Sequence, residues 1–282
     1  MKIVVTGSSS GIGRALTQRL LLRSHSVWGL ARRAQGDFAA QHPDHFRWSR
    51  CDLADWDAVE RAAGEILRVW PSIDGLVCCA GSQGTIGPAL KADPKLWSAT
   101  VRANLDATYF ALRALAPALR AAARRGKIVC LSGGGATKAR PRFAAYGAAK
   151  TSIVRLVETL SEEETEGAFD INALAPGAIA TAMTDEVLTA GPEIVSEAEY
   201  QAALRAKKAG TAPLERALDC AEWMLSAASD GISGRLISAQ WDPWETLGAR
   251  HADIADSDIY TLRRITPAKP AERDLPGSKP GA

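Results

Sequence analysis

The stretch Met1-Lys2-Ile3-Val4-Val5-Thr6-Gly7-Ser8-Ser9-Ser10-Gly11-Ile12-Gly13 decides the fold of this 282-residue chain. It starts as a short β-branched run, which is typical of a buried strand, and continues into a glycine-rich loop. Residues 12–23 follow with helical spacing, and Ile12, Leu16 and Leu20 fall on one face. A strand that runs through glycines into a helix predicts the first unit of an α/β sheet.

The rest of the chain repeats this alternation of short strands with longer helices. Strands are predicted at 26–30, 46–50, 73–79, 127–131, 169–175 and 235–239, and helices at 57–70, 94–124, 144–164 and 217–228. Apolar strands separated by helices imply parallel strands with right-handed crossovers. We therefore expect a doubly wound, mostly parallel sheet in one domain, residues 1–245. Residues 246–282 form a C-terminal extension, of which 266–282, with its four prolines, is predicted to be mobile.

Composition narrows the classes of function that the chain can have. The 34 Lys and Arg nearly balance the 32 Asp and Glu, which argues against a nucleic-acid or acidic-membrane partner. The sequence has no run of 18 apolar residues, so no membrane span is predicted. The predicted N-terminal strand leaves no room for a signal peptide. The five cysteines lack metal-ligand spacing, so we expect no metal site and a cytoplasmic protein with reduced thiols.

The glycine loop has the features of a turn that binds a pyrophosphate. Gly7 suits a tight turn, Gly11 lets the backbone approach a phosphate, and Gly13 lets the helix pack on the sheet. The N-terminus of that helix offers free N–H groups to the phosphates. The loop therefore predicts a dinucleotide site that includes Gly7, Ser9, Ser10, Gly11, Ile12 and Gly13.

The end of the second predicted strand indicates which dinucleotide is preferred. An acidic residue there would accept hydrogen bonds from the ribose 2′-OH of NAD, but this chain has Leu30-Ala31-Arg32-Arg33. Because a guanidinium is suited to phosphate, we predict NADP(H) over NAD(H). Arg32 is the expected main contact, with Arg33 or Arg14 assisting; the alternative is that these arginines are only solvated surface charges.

A tyrosine and a lysine share one face of the helix predicted at 144–164. In Tyr146-Gly147-Ala148-Ala149-Lys150, four residues advance the helix by about 400°, so the two side chains are neighbours. A free phenol has a pKa near 10, and a nearby cation lowers that pKa because it favours the phenolate. The pair therefore predicts proton transfer by Tyr146.

These motifs and three others resemble the short-chain dehydrogenase/reductase family, in its compact single-domain branch, over about residues 1–240. The others are Asp52-Leu53, Trp97-x-x-x-Val101-x-x-Asn104-Leu105 and Pro176-Gly177-x-Ile179-x-Thr181-x-Met183. The resemblance implies a Rossmann-type fold and hydride transfer between NADP(H) and a small ketone, aldehyde or alcohol. It also implies a homodimer or homotetramer. The apolar stripe Ile153, Leu156, Val157, Leu160 fits such pairing or packing within the chain.

The resemblance further implies a role for each matched residue. Tyr146 would be the general acid in reduction and the base in oxidation, and Lys150 would lower its pKa and bind the nicotinamide ribose. Asn104 would hold a water that links Lys150 to solvent. The remaining matches would contact the cofactor, on the adenosine side at Asp52, Leu53, Ala80 and Gly81, and beside the nicotinamide at Pro176, Gly177, Ile179 and Thr181.

Three positions depart from the family pattern. The family serine, thirteen residues before the tyrosine, is Gly133 here. We predict that Ser132 takes its role; the alternative leaves the oxyanion to backbone N–H groups. The family's Asn-Asn-Ala-Gly is Cys78-Cys79-Ala80-Gly81, and its Asp-Gly-Gly after the last strand is Gln240-Trp241-Asp242-Pro243-Trp244. Those tryptophans wall a substrate pocket, anchor a subunit contact or pack the extension.

The leading interpretation is an oxidoreductase whose substrate choice lies in residues 184–212, which we expect to fold over the site as a lid. Glycine at the serine position keeps a second interpretation open, a cofactor-binding regulator or scaffold with little turnover. A third, a sugar epimerase or dehydratase of the extended branch, would require a differently spaced loop and a longer C-terminal domain.

Overall fold

At the centre of the computed structural model, which describes residues 1–255 and 257–264, seven strands form one sheet. The strands are β1 (Lys2–Thr6), β2 (Ser26–Ala31), β3 (Phe46–Arg50), β4 (Gly75–Cys78), β5 (Gly126–Leu131), β6 (Phe169–Ala175) and β7 (Leu236–Ser238). Their order is β3-β2-β1-β4-β5-β6-β7, and every neighbouring pair is parallel. The predicted doubly wound parallel sheet is therefore confirmed.

Helices connect the strands and cover both faces of the sheet. They are α1 (Gly11–Leu22), α2 (Gly36–Gln41), α3 (Trp56–Val69), α4 (Pro94–Val101), α5 (Ala107–Arg120), α6 (Ala144–Glu163), α7 (Ala182–Ala190), α8 (Pro192–Val195), α9 (Glu197–Lys208), α10 (Ala212–Leu225) and α11 (His251–Ala255). Within the part that the structure describes, no helix is both long and apolar enough to cross a membrane.

The helix predicted over 94–124 differs from the prediction in two ways. A π-helical segment, Arg102–Asp106, interrupts it between α4 and α5. The helix also ends at Arg120 although the next three residues are alanines, which favour helix. Strand β5 begins six residues later, so the chain must leave the helix to enter the sheet. Tertiary context thus overrides local propensity at this end.

The core has two layers because successive side chains of a strand point to opposite faces. In β1, Val4 packs with residues of α3, α5 and α6, whereas Ile3 and Val5 pack with residues of α1 and α10. All three are fully buried. Burial on both faces explains why the strands are continuous apolar runs rather than alternating ones.

The strand order places a crevice beside the glycine loop. Strand β1 has β2 on one side and β4 on the other, so the chain changes direction along the sheet at this point. In doubly wound sheets, ligands bind outside the carboxyl ends of the strands where the order reverses. The loop after β1 lies at that place.

The apolar stripe of α6 is accounted for largely by packing within the chain. Ile153 and Val157 are fully buried in the core layer that contains α5, and Leu156 and Leu160 are half-buried against it. Of the two interpretations that the sequence left open for this stripe, intramolecular packing is the one that these contacts support.

The C-terminal extension packs onto the body of the fold up to residue 264. Trp244, Leu247 and Ile254 are buried in the core layer of α10, and the Trp244 indole donates to the carbonyl of Ala239 over 3.1 Å. Trp244 therefore packs the extension, whereas Trp241 is 86% exposed. The segment 266–282, predicted to be mobile, lies outside the described residues.

One buried arginine anchors this extension. The Arg235 guanidinium donates hydrogen bonds of 2.7–3.0 Å to four backbone carbonyls. They belong to Ile254, Ala255, Ser257 and Ile259. A single side chain thus satisfies four acceptors of the extension.

We expect Arg235→Met to release the extension, because it removes all four charge-assisted hydrogen bonds at once. The free energy of unfolding should fall by about 2–3 kcal/mol in urea titrations, and proteolysis near residues 254–264 should accelerate. Arg250→Met is the matched control: within the described part of the chain, exposed Arg250 forms an ion pair only with Asp253, so its loss should change stability by less than about 0.5 kcal/mol. Equal effects of the two substitutions would refute the anchor.

Candidate active site

A cavity of about 720 Å³ lies at the carboxyl ends of β1 to β4. It brings together most of the residues predicted for the adenosine side and the phosphates: Gly7, Ser9, Ser10, Arg32, Arg33, Asp52, Leu53, Ala80 and Gly81. Both arginines are exposed, and neither has a carboxylate partner among the described residues. The wall of the cavity therefore carries two available guanidinium groups.

Glycines form the floor of this crevice where no side chain would fit. A Cβ on Gly7 would lie 2.9 Å from the backbone of Ala80, and its φ of +68° favours glycine. A Cβ on Gly13 would lie 2.5 Å from the carbonyl oxygen of Gly7. This close packing of loop, α1 and the end of β4 makes a cradle of bare backbone, which fits a dinucleotide pyrophosphate. Ile12 lies in the first turn of α1, half-buried in the core.

Arg14 is placed differently from the other two predicted arginines. It does not line the cavity; its guanidinium hydrogen-bonds the carboxylate of Asp37 and stacks 4.5 Å from the centroid of the Phe38 ring. Because Asp37 already neutralises Arg14, we regard Arg32 and Arg33 as the stronger candidates for a phosphate.

Lys150 is buried at the end of β5, where it is 4% exposed and its Nζ donates to the carbonyl of Leu131 over 2.8 Å. Burial lowers the pKa of Lys150 to about 8, while the neighbouring thiols, chiefly Cys79 and Cys130, act in the opposite direction. A fold that keeps an ammonium here sacrifices stability, which is common at functional sites.

Asn104 lies next to this lysine. A Cβ placed on Gly81 would be 2.6 Å from Asn104 Oδ1 and 3.5 Å from Lys150 Nζ, so both polar groups meet at this glycine. Asn104 is in the π-helical segment and its Nδ2 donates to the carbonyls of Ser82 and Thr100. Its buried Oδ1 has no partner among the described residues. Such π-helical turns often mark functional sites.

Tyr146 lies near Lys150, as the helical spacing predicts, with Nζ 5.6 Å from the centroid of the phenol ring. The tyrosine is 8% exposed. Burial raises its pKa, and the charge that opposes this effect is the guanidinium of Arg140. The direction is opposite to the expected lowering by Lys150, because desolvation of the phenolate dominates.

Gly133, not Ser132, lies against the phenol. A Cβ on Gly133 would be 2.5 Å from the Tyr146 hydroxyl, so the tyrosine occupies the space of the missing side chain. The Ser132 hydroxyl is buried and has no hydrogen-bond partner among the described residues, Tyr146 included. The catalytic role of Ser132 stays a prediction.

The predicted nicotinamide turn is braced by a glutamine. Gln240 Nε2 donates to the carbonyls of Pro176 and Pro213, each over 2.9 Å. Its side chain covers Gly177, which has a φ of +88°. Thr181 caps α7 and lies 3.7 Å from the position of a Cβ on Gly11, so the turn reaches the glycine loop. Ile179 is buried beside it.

The segment predicted as a lid forms α7, α8 and α9, here called the cap. Its buried residues Val187, Val195 and Ala203 pack in one cluster with Phe143 and Tyr146. Neither Tyr146 nor Lys150 lines the large cavity. The cap therefore packs against the tyrosine.

Three residues at this site were missed by sequence reasoning: Arg140 beside Tyr146, Glu199 on the cap, and Gln240 under the turn. Arg140 is one of three cations within five residues, and Glu199 one of three carboxylates within seven, so nothing in the pattern distinguishes them. Gln240 was noted only as a departure from a family motif.

Comparison with known proteins identifies the class. The short chain dehydrogenase family profile matches residues 1–191. Short chain dehydrogenase mpl6 of Monascus purpureus is 31% identical over 275 residues, which cover 93% of this chain and 88% of that protein. The 3-oxoacyl-[acyl-carrier-protein] reductase MabA of Mycobacterium avium is 29% identical over 192 residues, covering 67% and 72%.

Solved structures share the fold. A short chain dehydrogenase/reductase of Saccharomyces cerevisiae superposes with a TM-score of 0.78 at 23% identity, covering 90% of this chain and 98% of that one. A short chain dehydrogenase of Escherichia coli CFT073 complexed with NADPH gives 0.71 at 23% identity, covering 85% and 96%. The chain belongs to the short chain dehydrogenase family and is an oxidoreductase, and the family uses a nicotinamide cofactor.

Lys150→Met should stabilise the protein at neutral pH. A fall of the lysine pKa from 10.5 to about 8 corresponds to a folding cost of about 3 kcal/mol, offset by about 1 kcal/mol from the bond to Leu131. The pKa is lower in the folded state, so the cost is fully present below pH 8 and disappears as the pH approaches 10.5. Urea titrations should therefore show a gain at pH 7 that shrinks at higher pH.

Lys127→Met is the matched control for this prediction. Lys127 is equally buried but pairs with Asp170 and Asp230, so its loss leaves the buried Asp170 carboxylate with Arg125 as its remaining cationic partner. We expect destabilisation by about 1.5–3 kcal/mol, because charged hydrogen bonds to a buried carboxylate are lost. If both variants lose stability at pH 7, the Lys150 ammonium is not under the strain inferred here.

Proposed function

We propose that this protein is an NADP(H)-dependent oxidoreductase that interconverts a ketone or aldehyde and an alcohol, with Tyr146 as the general acid and base. The observation that carries the proposal is the meeting of Tyr146, Lys150 and Asn104 beside a glycine cradle at the switch point of the sheet. Burial raises the pKa of Tyr146, so the phenol is protonated at neutral pH, which is the form that a proton donor requires.

Each of these residues has a distinct task in the proposed reaction. In reduction, the Tyr146 hydroxyl gives its proton to the carbonyl oxygen of the substrate, and in oxidation it takes the proton back. The bound nicotinamide ring supplies or accepts the hydride. Lys150 holds the nicotinamide ribose, and Asn104 orders a water in the relay that returns the proton to Tyr146. Ser132, or the backbone N–H groups of the glycines after it, stabilises the substrate oxygen.

The preference for NADP(H) rests on Arg32 and Arg33. Both line the cavity at the end of β2, where an acidic residue would select NAD(H). The NADPH complex of the E. coli relative is consistent with this preference. We propose further contacts from Asp52, Leu53, Ala80 and Gly81 on the adenosine side and from Pro176, Gly177, Ile179 and Thr181 beside the nicotinamide.

Arg32→Ala should weaken NADPH binding about 10- to 100-fold, because it removes a charge-assisted hydrogen bond to the 2′-phosphate. Arg33→Ala should have a similar or smaller effect, and NADH binding should change less than threefold in both variants. Calorimetric titration with each nucleotide measures the ratio. Arg14→Ala is the control, since Asp37 already holds that guanidinium. A parallel loss of NADH and NADPH affinity would contradict the assignment.

The rival function, a cofactor-binding regulator or scaffold, is favoured by glycine at the serine position and by the cap over Tyr146. A turnover assay separates the two. NADPH oxidation is followed with a panel of ketones, aldehydes and sugars for the wild type and Tyr146→Phe. Turnover that depends on Tyr146 supports the enzyme; NADPH binding without such turnover across the panel supports the regulator.

We also propose that the protein is a cytoplasmic homodimer or homotetramer, as the family resemblance implies. Trp97 on α4 and Tyr109 on α5 are large apolar side chains with 37% and 44% of their surface exposed, which supports an interface at these helices. Light scattering of the purified protein measures the assembly size.

Restoring the family serine should reduce activity in this chain. In Gly133→Ser, the new Cβ would lie 2.5 Å from the Tyr146 hydroxyl, so the buried ring must shift. A displacement approaching 1 Å costs roughly 100-fold in rate, and we expect kcat/KM to fall at least tenfold. Gly134→Ser is the control, because its nearest neighbour is 3.6 Å away on Arg140. A gain of activity in Gly133→Ser would show that Tyr146 adapts freely.

A further inference from the structure

Arg140 joins the cap to the catalytic tyrosine. It lies on the loop between β5 and α6, and its guanidinium stacks 3.9 Å from the centroid of the Phe143 ring and 5.9 Å from that of Tyr146. The same guanidinium donates to both carboxylate oxygens of Glu199, with Nε at 3.1 and 3.2 Å and Nη2 at 2.8 Å. Glu199 is in the first turn of α9. One side chain therefore contacts both the cap and the wall of the active site.

The loop after β5 is shaped to receive this arginine. A Cβ on Gly135 would lie 3.3 Å from the Arg140 Cβ, whereas a Cβ on Gly134 would meet its Cδ at an ordinary contact distance of 3.6 Å. Gly135 therefore leaves room for the arginine stem beside α6. The Arg140 and Glu199 side chains are only 19% and 26% exposed, so water screens this pair less than the open surface pairs of the protein.

The cap and the tyrosine share an apolar cluster as well as this ion pair. Val195, the last residue of α8, and Ala203 of α9 lie on either side of Glu199 in the sequence. Both are buried against Phe143 and Tyr146. Since Tyr146 packs against these residues of the cap, movement of the cap changes the surroundings of the tyrosine. Opening the cap must separate Glu199 from Arg140, whereas Arg140 stays with the loop.

We propose that Arg140 and Glu199 form a latch that holds the cap over Tyr146, and that Glu199 controls how much positive charge Arg140 directs at that tyrosine. Arg140 is thus a positioning residue, and this inference rests on the proposed role of Tyr146. With the cap closed, the carboxylate of Glu199 offsets part of the charge of the guanidinium. With the cap open, the guanidinium acts without that carboxylate and lowers the pKa of the phenol further.

The charges around Tyr146 make this coupling specific. Among the described residues, the other cation near Tyr146 is Lys150, which lies on the same helix. The cap places Glu199 of α9 against Arg140 and the apolar Val187 of α7 against the tyrosine. Closing the cap therefore raises the pKa of the phenol, and opening it lowers that pKa. The latch links the position of the cap to the acidity of Tyr146.

Two substitutions test the coupling, because it predicts shifts of opposite sign in the pKa of Tyr146. Glu199→Gln leaves Arg140 charged without its carboxylate, so the pKa of Tyr146 should fall; Arg140→Gln removes the cation, so that pKa should rise. Each shift should be about half a unit to two units at this separation. Ultraviolet difference titration of each variant against the same variant with Tyr146→Phe measures the phenol directly. The pH profile of kcat/KM for alcohol oxidation should shift in the same directions.

Hydrogen exchange measures whether the ion pair between Arg140 and Glu199 holds the cap in place. In both variants the amides of residues 197–208 should exchange about tenfold faster than in the wild type, because the bidentate pair is lost. Arg140→Lys should restore the Tyr146 titration but not the slow exchange, since an ammonium keeps the charge without the planar fork. Asp185→Asn is the matched control, because it breaks the Lys207–Asp185 pair inside the cap and should not move the Tyr146 titration.

The outcomes separate this inference from the proposed function. Opposite titration shifts with faster exchange support the latch. Shifts of the same sign in Glu199→Gln and Arg140→Gln, or none beyond that of Asp185→Asn, overturn it. If the wild type turns over no substrate of the panel, the proposed function fails, whereas titration and exchange still decide whether the latch exists.

Discussion

The hydrogen bond from the buried ammonium of Lys150 to the carbonyl of Leu131 fixes the position of α6 relative to the end of β5. One helical turn earlier, that placement brings the Tyr146 hydroxyl against Gly133. The same ammonium lies near Asn104, whose π-helical segment is held by its own side-chain bonds to neighbouring carbonyls. Strand β5, helix α6 and the π-helical segment therefore meet at the ammonium of Lys150, and burial of that charge lowers the stability of the fold.

The sequence predicted the architecture well because the strands are apolar on both faces and the helices are not. The apolar run around Val4 predicts β1, and Gly7 and Gly13 after it occur where the structure leaves no space for a Cβ. The π-helical segment and the early end of α5 were not predicted, since both depend on how the chain must return to β5. Local sequence carries no signal for such requirements.

The site was predictable where spacing along one element determines it. Tyr146 and Lys150 are four residues apart on a helix, so their proximity follows from helical geometry. Arg140 and Glu199 are 59 residues apart and meet only because the cap folds back on the β5 loop. The direction of the Tyr146 pKa shift could not be predicted from the sequence either, because it depends on burial of the phenol, to which residues of the cap contribute.

Burial of the phenol and replacement of the serine by glycine have one physical consequence in common. In the usual arrangement a serine hydroxyl would share the substrate oxygen with the tyrosine; here Gly133 allows the phenol to occupy that space itself. A phenol that is desolvated and packed against the cap resists ionisation, so it stays protonated at neutral pH. The glycine, the raised pKa and the cap are therefore consistent with the proposed role of Tyr146 as the acid in carbonyl reduction.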